Sequence, residues 1–545
     1  MRSKIVWFTI ILLCGVIVLQ YTNIFSHFLL FRMLLAWTGV MFLPGYFIFR
    51  TVFYRQEYGF AEKVVYSFSL SFGAIFLLGL FGYGFHLNIT FLNSLFLLMT
   101  VFFCIVYLST LERNYLKEGY ISENKNRSIF LRNSILFLMI LLLSIIAFVY
   151  EAKSWGDAYF YETIVRKLAE LPYITNQNAF CKDIKPDTVF GSNIWFLIMA
   201  MIVNMSKIDT IAVWLKLPAI LMFLKITIIY VFAHELFKSK KISLVITGLY
   251  FFYSVLHLGD IQYLGYNFHF AVSIILPLAL LMMFRYIRTG ERKYLILSSF
   301  LGISLFRIHI MVFFLFELAL FSFLIGFWLF QKEEKNKIKS LFRLIIFSLI
   351  LAIPFIIYTL NSYNLKTVVD IGNEYTVEVS KSLFSIKLDE FLAKPLIFTG
   401  LLFTPLLIPF LKRKDWAIFL FMNMVVPPIL MLIPIFPPLL SKIITVSLVR
   451  RINFLMPTFF VVGGGIAFLL IRGEKQLNRY IFEEREKRII TYAIYFIVIF
   501  IVFFSSIFTI YKMDMRNWNI KKITPQGIYE FFRKNVAPIL LFWRT

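Results

Sequence analysis

The sequence predicts an all-α protein that is polytopic, crossing a membrane about 14–16 times, and three observations lead there. Of its 545 residues, 60% are hydrophobic and 19% aromatic. The mean hydropathy is +0.81. Apolar runs of about 18–22 residues, the length a bilayer core demands of a helix, recur from end to end. Lipid offers no water to backbone N–H and C=O groups, so such runs close their hydrogen bonds internally as helices; the period-2 alternation of a membrane β-barrel is absent. The opening run "MRSKIVWFTIILLCGVIVLQ" has a basic start and an apolar stretch but no small-residue cleavage site, and reads as a retained first span.

The net charge of +25 would suggest nucleic acid in a soluble chain, yet here the cations sort by loop. Basic clusters lie at Arg2–Lys4, Arg50–Lys63, Glu112–Arg132, Lys238–Lys241, Arg285–Lys293, Gln331–Ser340, Lys412–Asp415 and Arg472–Arg488. Every second loop is basic. The positive-inside rule puts these loops and the N-terminus in the cytoplasm of a multi-pass plasma-membrane protein. Short neutral loops and two long ones, 151–193 and 362–394, then face the other side. The expected partner is membrane lipid, with no nucleic acid. The basic tail "KMDMRNWNIKK" falls on the outer side in this count, against the rule.

Cys14, Cys104 and Cys181 are far apart, two of them inside apolar runs, so neither a disulfide framework nor a zinc site is indicated. No phosphate-binding loop is present. The glycines of "VGGGIAF", Val462–Phe468, fall within a span and read as close helix packing. No obligatory cofactor and no metal ligand set is predicted; divalent-cation use is left open.

Three regions follow: a four-span part at 1–132, a membrane core at 133–472, and a linker, last span and tail at 473–545. In the first, Pro44-Gly45 interrupts a helix, and Glu62 precedes the alternation Ser67, Ser69, Ser71. This stretch resembles the "LPG…E…S…LS" opening of many prokaryotic multispan proteins. A helix kink relieved by its neighbour, with a glutamate at the membrane boundary, accounts for it as well.

In the core, "SWGDAYFYETIVRKLAE" directly follows an apolar run. Phe160, Tyr161, Ile164, Val165 and Leu168 fall on one face at helical spacing, with Glu162, Arg166, Lys167 and Glu170 mostly on another. This amphipathic juxtamembrane helix is expected along the outer membrane surface. Asp157 stands at its start, where free N–H groups and the helix dipole favour a negative charge. A simple N-cap is one reading of it.

A second reading comes from order along the chain. The acid and amphipathic helix are followed by an extended loop, the short span "NIWFLIMAMIVNM" and the proline-broken span "TIAVWLKLPAILMFLKITIIYVFAHELF". Then come "RYIRTGERKYLILSSFLGISLFRIHIMVFF" and the late "RRINFLMP". Over about residues 133–472 this succession resembles the GT-C superfamily of integral-membrane glycosyltransferases. The resemblance implies transfer of a sugar from a polyprenyl-phosphate-linked donor to a glycan, lipid or protein acceptor on the extracytoplasmic face. It also implies that Asp157 is the catalytic general base, accepting a proton from an otherwise poor hydroxyl nucleophile. The chain departs from the family's frequent pair of adjacent acids, having Asp157-Ala158, which leaves metal use open.

The leaving lipid phosphate would need fixed cations. Arg307 and His309 at the expected outer end of a span, and Arg450 and Arg451 late in the chain, are candidates; snorkelling to headgroups is the alternative for the arginines. Arg307 and His309 are two apart and share a cavity only if their helix ends there. Asp183 and Asp187 are candidate second carboxylates or solvated loop residues. Asp260, Gln262, Tyr263 and His269, with Tyr266 and Asn267, have the mixture of rings and polar groups that contacts sugars, or form an interfacial aromatic belt. Asp370, Glu374 and Glu378 give the second long loop an acidic character suited to ordering over an acceptor. Two other classes stay open: a transporter or lipid-linked sugar flippase, which would lean on mid-span charges such as Lys216 and Lys225, and a non-catalytic envelope-assembly scaffold.

Overall fold

A computed structural model describes residues 2–22, 27–53, 58–115, 127–152, 157–174, 192–362, 376–380, 383–392, 394–441 and 449–480. Asp183, Asp187, Trp155, Asp370, Glu374, Cys181 and the expected last span and tail lie outside the described residues. Among the described residues, nine helices are long and apolar enough to cross a membrane, and four shorter apolar helices accompany them. The protein is therefore a multi-pass, all-α membrane protein.

The first five helices are α1 (Arg2–Tyr21), α2 (Leu29–Met41), α3 (Leu43–Val52), α4 (Phe60–Gly84) and α5 (Ile89–Tyr115). The chain breaks between α2 and α3 at Phe42, with Pro44 in the first turn of α3, where its missing N–H costs nothing. Gly45 follows because nothing larger fits: an added Cβ would sit 1.8 Å from the Ser67 carbonyl oxygen. Its N–H donates to Ser71 Oγ at 2.8 Å. The glycine and serines that stood out in the sequence are thus the two sides of one α3–α4 contact.

Next come α6 (Arg127–Tyr150), α7 (Asp157–Glu170), α8 (Ile194–Ser206), α9 (Thr210–Phe237) and α10 (Lys240–Leu256). All of α8 except Asn204 is buried. The expected break in α9 is absent: the helix runs unbroken through Pro218. The ring deprives the Trp214 carbonyl of its partner, and the next carbonyl, Leu215 O, takes the Ala152 N–H at 2.8 Å. Beside it Lys216 Nζ meets Glu151 Oε1 at 2.7 Å and donates to Phe148 O. Lys225 Nζ lies over the Tyr250 ring, 5.1 Å from its centroid.

Short α11 (Gly259–Gln262) and α12 (Asn267–Phe270) lead through a π-helical turn, Ala271–Ile275, into α13 (Leu276–Thr289). The turn ends two residues before Pro277, which has no N–H to continue the α-helical ladder. The basic cluster Arg285–Lys293, expected as a loop, is mostly helix: α13 ends at Thr289, Gly290 adopts φ 72 as its cap, and α14 (Arg292–Ile308) begins two residues later. Then follow α15 (Ile310–Phe330) and α16 (Lys335–Ser362). The second long loop holds an antiparallel hairpin, β1 (Thr376–Ser380) and β2 (Leu383–Ile386), with Thr376 opposite Ile386. Helices α17 (Asp389–Leu392), α18 (Pro395–Phe403), α19 (Asp415–Leu432) and α20 (Phe436–Ser441) follow, and the helix Thr458–Tyr480 closes the described chain. In that last helix Gly463, Gly464 and Gly465 lie against Ile246, Phe237 and Phe403, where a Cβ would intrude. Close packing explains the glycine triplet.

With 28 residues, α9 is ~42 Å long at 1.5 Å per residue, enough to separate two polar ends across a bilayer. One end carries Asp157, Asp209, Tyr266, His309 and Arg451. The other carries Glu62, Glu235, Arg285, Arg288 and Asp415.

Candidate functional site

At the first end, α7 is fixed before its chemistry begins. Arg166 Nη2 donates to Asp209 Oδ2 at 2.6 Å, and Asp209 Oδ1 accepts from Ile211 N, capping α9. Tyr161 packs its ring on Phe196, 5.1 Å between centroids, and edge-on to Tyr266 at 5.5 Å. Ala158, Ile164, Val165 and Leu168 are buried with it. The apolar face expected from periodicity is thus present, but it lies on α8 and α9. Glu162, expected on the polar face, is buried as well, because neighbours cover more of α7 than a membrane surface would.

Asp157 is the first residue of α7 and is exposed. Its charge acts on Tyr161, on Tyr266 and on the Arg451 guanidinium. Burial first, then the Asp157 charge, pushes the Tyr161 hydroxyl up. The same two causes push Tyr266 up to about 12, opposed by a hydrogen bond from the Ala158 backbone. Both phenols therefore keep their protons at neutral pH and are able to donate a hydrogen bond.

Arg451 lies over the Phe268 ring, 4.5 Å from its centroid. Among the described residues no carboxylate stands within ion-pair distance of it. Phe268 also meets His309 at 5.0 Å and Phe454 at 5.2 Å, and His269 lies 5.8 Å from Tyr263. Burial, helped by the Arg451 charge and His269, holds the His309 imidazole down at about 3, so it is neutral at physiological pH. Its Nδ1 is buried with no hydrogen-bond partner among the described residues.

The helix break at His309 is built from both sides. α14 ends at Ile308, and His309 is extended, with φ −162. The freed Ile308 carbonyl accepts from Asn193 Nδ2 at 2.9 Å and from Asn267 Nδ2 at 3.4 Å. Each asparagine also caps its own chain, through Trp195 N and Phe268 N. Trp195 stacks on Phe270 at 3.7 Å and donates its Nε1–H to Gly265 O at 2.7 Å. The short α11–α12 segment is thereby held against the start of α8.

This break separates two predicted partners. His309 joins Phe268 and Arg451, whereas Arg307 is buried on another side, where its Nη2 donates to Ser192 O at 3.1 Å and its guanidinium faces Phe355. Arg450 also diverges from Arg451: its Nη1 lies 3.9 Å from Glu390 Oε1 on α17. Asp260 is exposed beside Tyr253, and Gln262 is half-buried at the end of α11. The fold thus gathers Asp157, Tyr263, His269, His309 and Arg451 in one neighbourhood. Arg307, Arg450 and Asp260 have their nearest contacts elsewhere, and Asp183 and Asp187 lie outside the described residues. Sequence reasoning did not single out Phe268, the ring under Arg451, or Asn193, the brace of the helix break. An asparagine directly before an apolar run was a visible capping signal.

The opposite end carries a network without an obvious sequence signal. Glu235 Oε2 meets Arg285 Nε at 3.0 Å and its Oε1 meets Arg288 Nη1 at 2.9 Å. Arg285 reaches Glu62 of α4 at 2.5 Å, and Arg288 pairs two-pronged with Asp415 at 2.8 and 2.9 Å. Four helices are tied by one chain of charges. No protein-family model matches the chain, and no curated protein matches it.

Proposed function

We propose that this protein is a glycosyltransferase of the plasma membrane, its N-terminus cytoplasmic, that moves a sugar from a polyprenyl-phosphate carrier to a glycan, lipid or protein acceptor on the extracytoplasmic face. One observation carries the reading: an exposed carboxylate, Asp157, and a stacked guanidinium with no carboxylate partner among the described residues, Arg451, come within electrostatic reach at one mouth of the helix bundle.

Their roles follow from charge. The Asp157 carboxylate accepts the acceptor hydroxyl's proton as that oxygen bonds the anomeric carbon, and the bond from carbon to phosphate oxygen breaks on the opposite face, inverting the centre. The departing phosphate gains negative charge, which Arg451 meets. Tyr161 and Tyr266 stay protonated and donate to sugar oxygens, while Tyr263 and Phe268 offer ring faces to sugar C–H surfaces.

The test is transfer by the purified full chain in nanodiscs, supplied with synthetic polyprenyl-phosphate sugars. Asp157→Asn keeps size and capping ability while removing the base, and turnover should fall about 10²–10⁴-fold. Transfer at the wild-type rate would remove the general-base role. The mid-span cations expected of a transporter, Lys216 and Lys225, rest on Glu151 and on the Tyr250 ring.

A further inference from the structure

Around Glu235 the carboxylates of the network are spent inward, whereas the connecting turns expose an excess of cations, with Glu333 and Glu334 the exposed acids among them. Two turns lie side by side there, joined where Gln331 Nε2 donates to the Leu411 carbonyl at 2.8 Å. The first connects α15 to α16 and carries Lys332, Lys335 and, one turn into α16, Lys339. The second precedes α19 and carries Lys412, Arg413 and Lys414. All six are exposed, and among the described residues no carboxylate is within ion-pair distance of any of them. The nearest acid of the second turn, Asp415, is occupied by Arg288; Glu334 of the first turn lies 3.5 Å from Lys337.

Immediately along the chain from each cation cluster the surface turns apolar. Trp328 is 60% exposed and carries Lys332 Nζ over its ring at 5.0 Å. Leu406 and Ile408, just before the second turn, are exposed too. A tryptophan stationed beside a lysine at the end of a span is the arrangement of the headgroup level, with the indole in the interface and the ammonium among the phosphates. Cations above exposed apolar side chains match a molecule with an anionic head and acyl chains. A soluble acidic partner would leave the apolar half uncovered.

We infer that the surface shared by the Gln331–Lys335 turn and the Leu411–Asp415 turn is a binding site for anionic phospholipid of the surrounding bilayer, its phosphodiester held by these cations and its chains lying along Trp328, Leu406 and Ile408. The site is separate from the one containing Asp157 and does not depend on the glycosyltransferase reading.

Native mass spectrometry of the detergent-purified full chain, titrated with phosphatidylglycerol or phosphatidylcholine, tests this. The wild type should hold phosphatidylglycerol at least about tenfold more tightly at low ionic strength, and high salt should erase the difference. The variant K332Q/K335Q/K412Q/K414Q should bind both lipids alike. Equal binding of the two lipids by the wild type would overturn the inference, as would a variant that keeps the preference. Displacement of the lipid by millimolar inorganic phosphate would also overturn it, by assigning the cations to a free anion. The salt titration needs no variant, so a folding failure of the quadruple mutant leaves the test intact.

Discussion

The two ends of the bundle handle charge in opposite ways. Around Glu235, acids and bases from four helices answer one another at 2.5–3.0 Å, and the charged groups serve the fold. Around Arg451 the guanidinium rests on a phenylalanine, its nearest charged neighbour is another arginine, Arg450, Asp157 stays exposed, and the phenols and the His309 imidazole nearby are neutral. A charge satisfied inside the protein is structural. A charge left beside polar groups that are themselves uncharged is available to something arriving from outside.

Breaking the saturated end should have the largest effect on stability. Glu235→Gln leaves two half-buried guanidinium groups facing a neutral amide, each with one carboxylate remaining, Glu62 or Asp415, and a loss of about 3 kcal/mol is expected, read as a lower melting temperature and a smaller monodisperse fraction in detergent. An unchanged melting temperature would mean the network contributes little. Gly45→Ala comes next. Its Cβ collides with backbone at the α3–α4 contact, so relief requires moving a helix, and about 2–3 kcal/mol should be lost, by the same measurement.

The sparse end should respond differently. Arg451→Ala should shift stability by less than about 1 kcal/mol, because no buried acid is orphaned, while weakening binding of a labelled polyprenyl phosphate about tenfold to a hundredfold. A large stability loss with unchanged binding would erase the distinction between the ends. The smallest effect concerns His309. Its folded-state pKa, about 3, lies below the ordinary 6.5, so the unfolded chain binds the proton first; its stabilising contribution is complete above pH 6.5 and declines as pH falls towards 3. Between pH 7 and pH 6 the expected loss is ~0.7 kcal/mol. Denaturant melts of the wild type and His309→Asn across this window check it, the variant giving the flatter profile.

Much of this architecture is legible in local sequence features. Long apolar runs announce the spans and helical periodicity over Tyr159–Glu170 announces α7, whose first residue in the structure is Asp157. What stayed hidden was set by contacts between distant segments. Glu62 meets Arg285 across 223 positions, and neither residue's neighbours hint at the other. Arg285 and Arg288 read as part of a basic loop, although the carboxylates that hold them in α13 come from α4, α9 and α19. Glu162 illustrates the same limit: spacing sets it on the polar face, yet the packing around α7 buries it. The proline of α9 points to a break the structure lacks: the helix continues through Pro218, and the carbonyl next to the orphaned one takes the Ala152 N–H.

Helix α8 carries a consequence for how the protein is made. At 13 residues it is ~20 Å long, short of a ~30 Å hydrocarbon layer, and its sides are covered by protein rather than acyl chains. Such a segment gains little from meeting lipid alone, so its place is secured by protein, and the helices that cover most of it, α2, α5 and α7, precede it in the chain. Nascent chains ending just after Ser206 should already hold it against those helices, and those reaching past Ile308, whose carbonyl Asn193 holds, should add the last brace at its start.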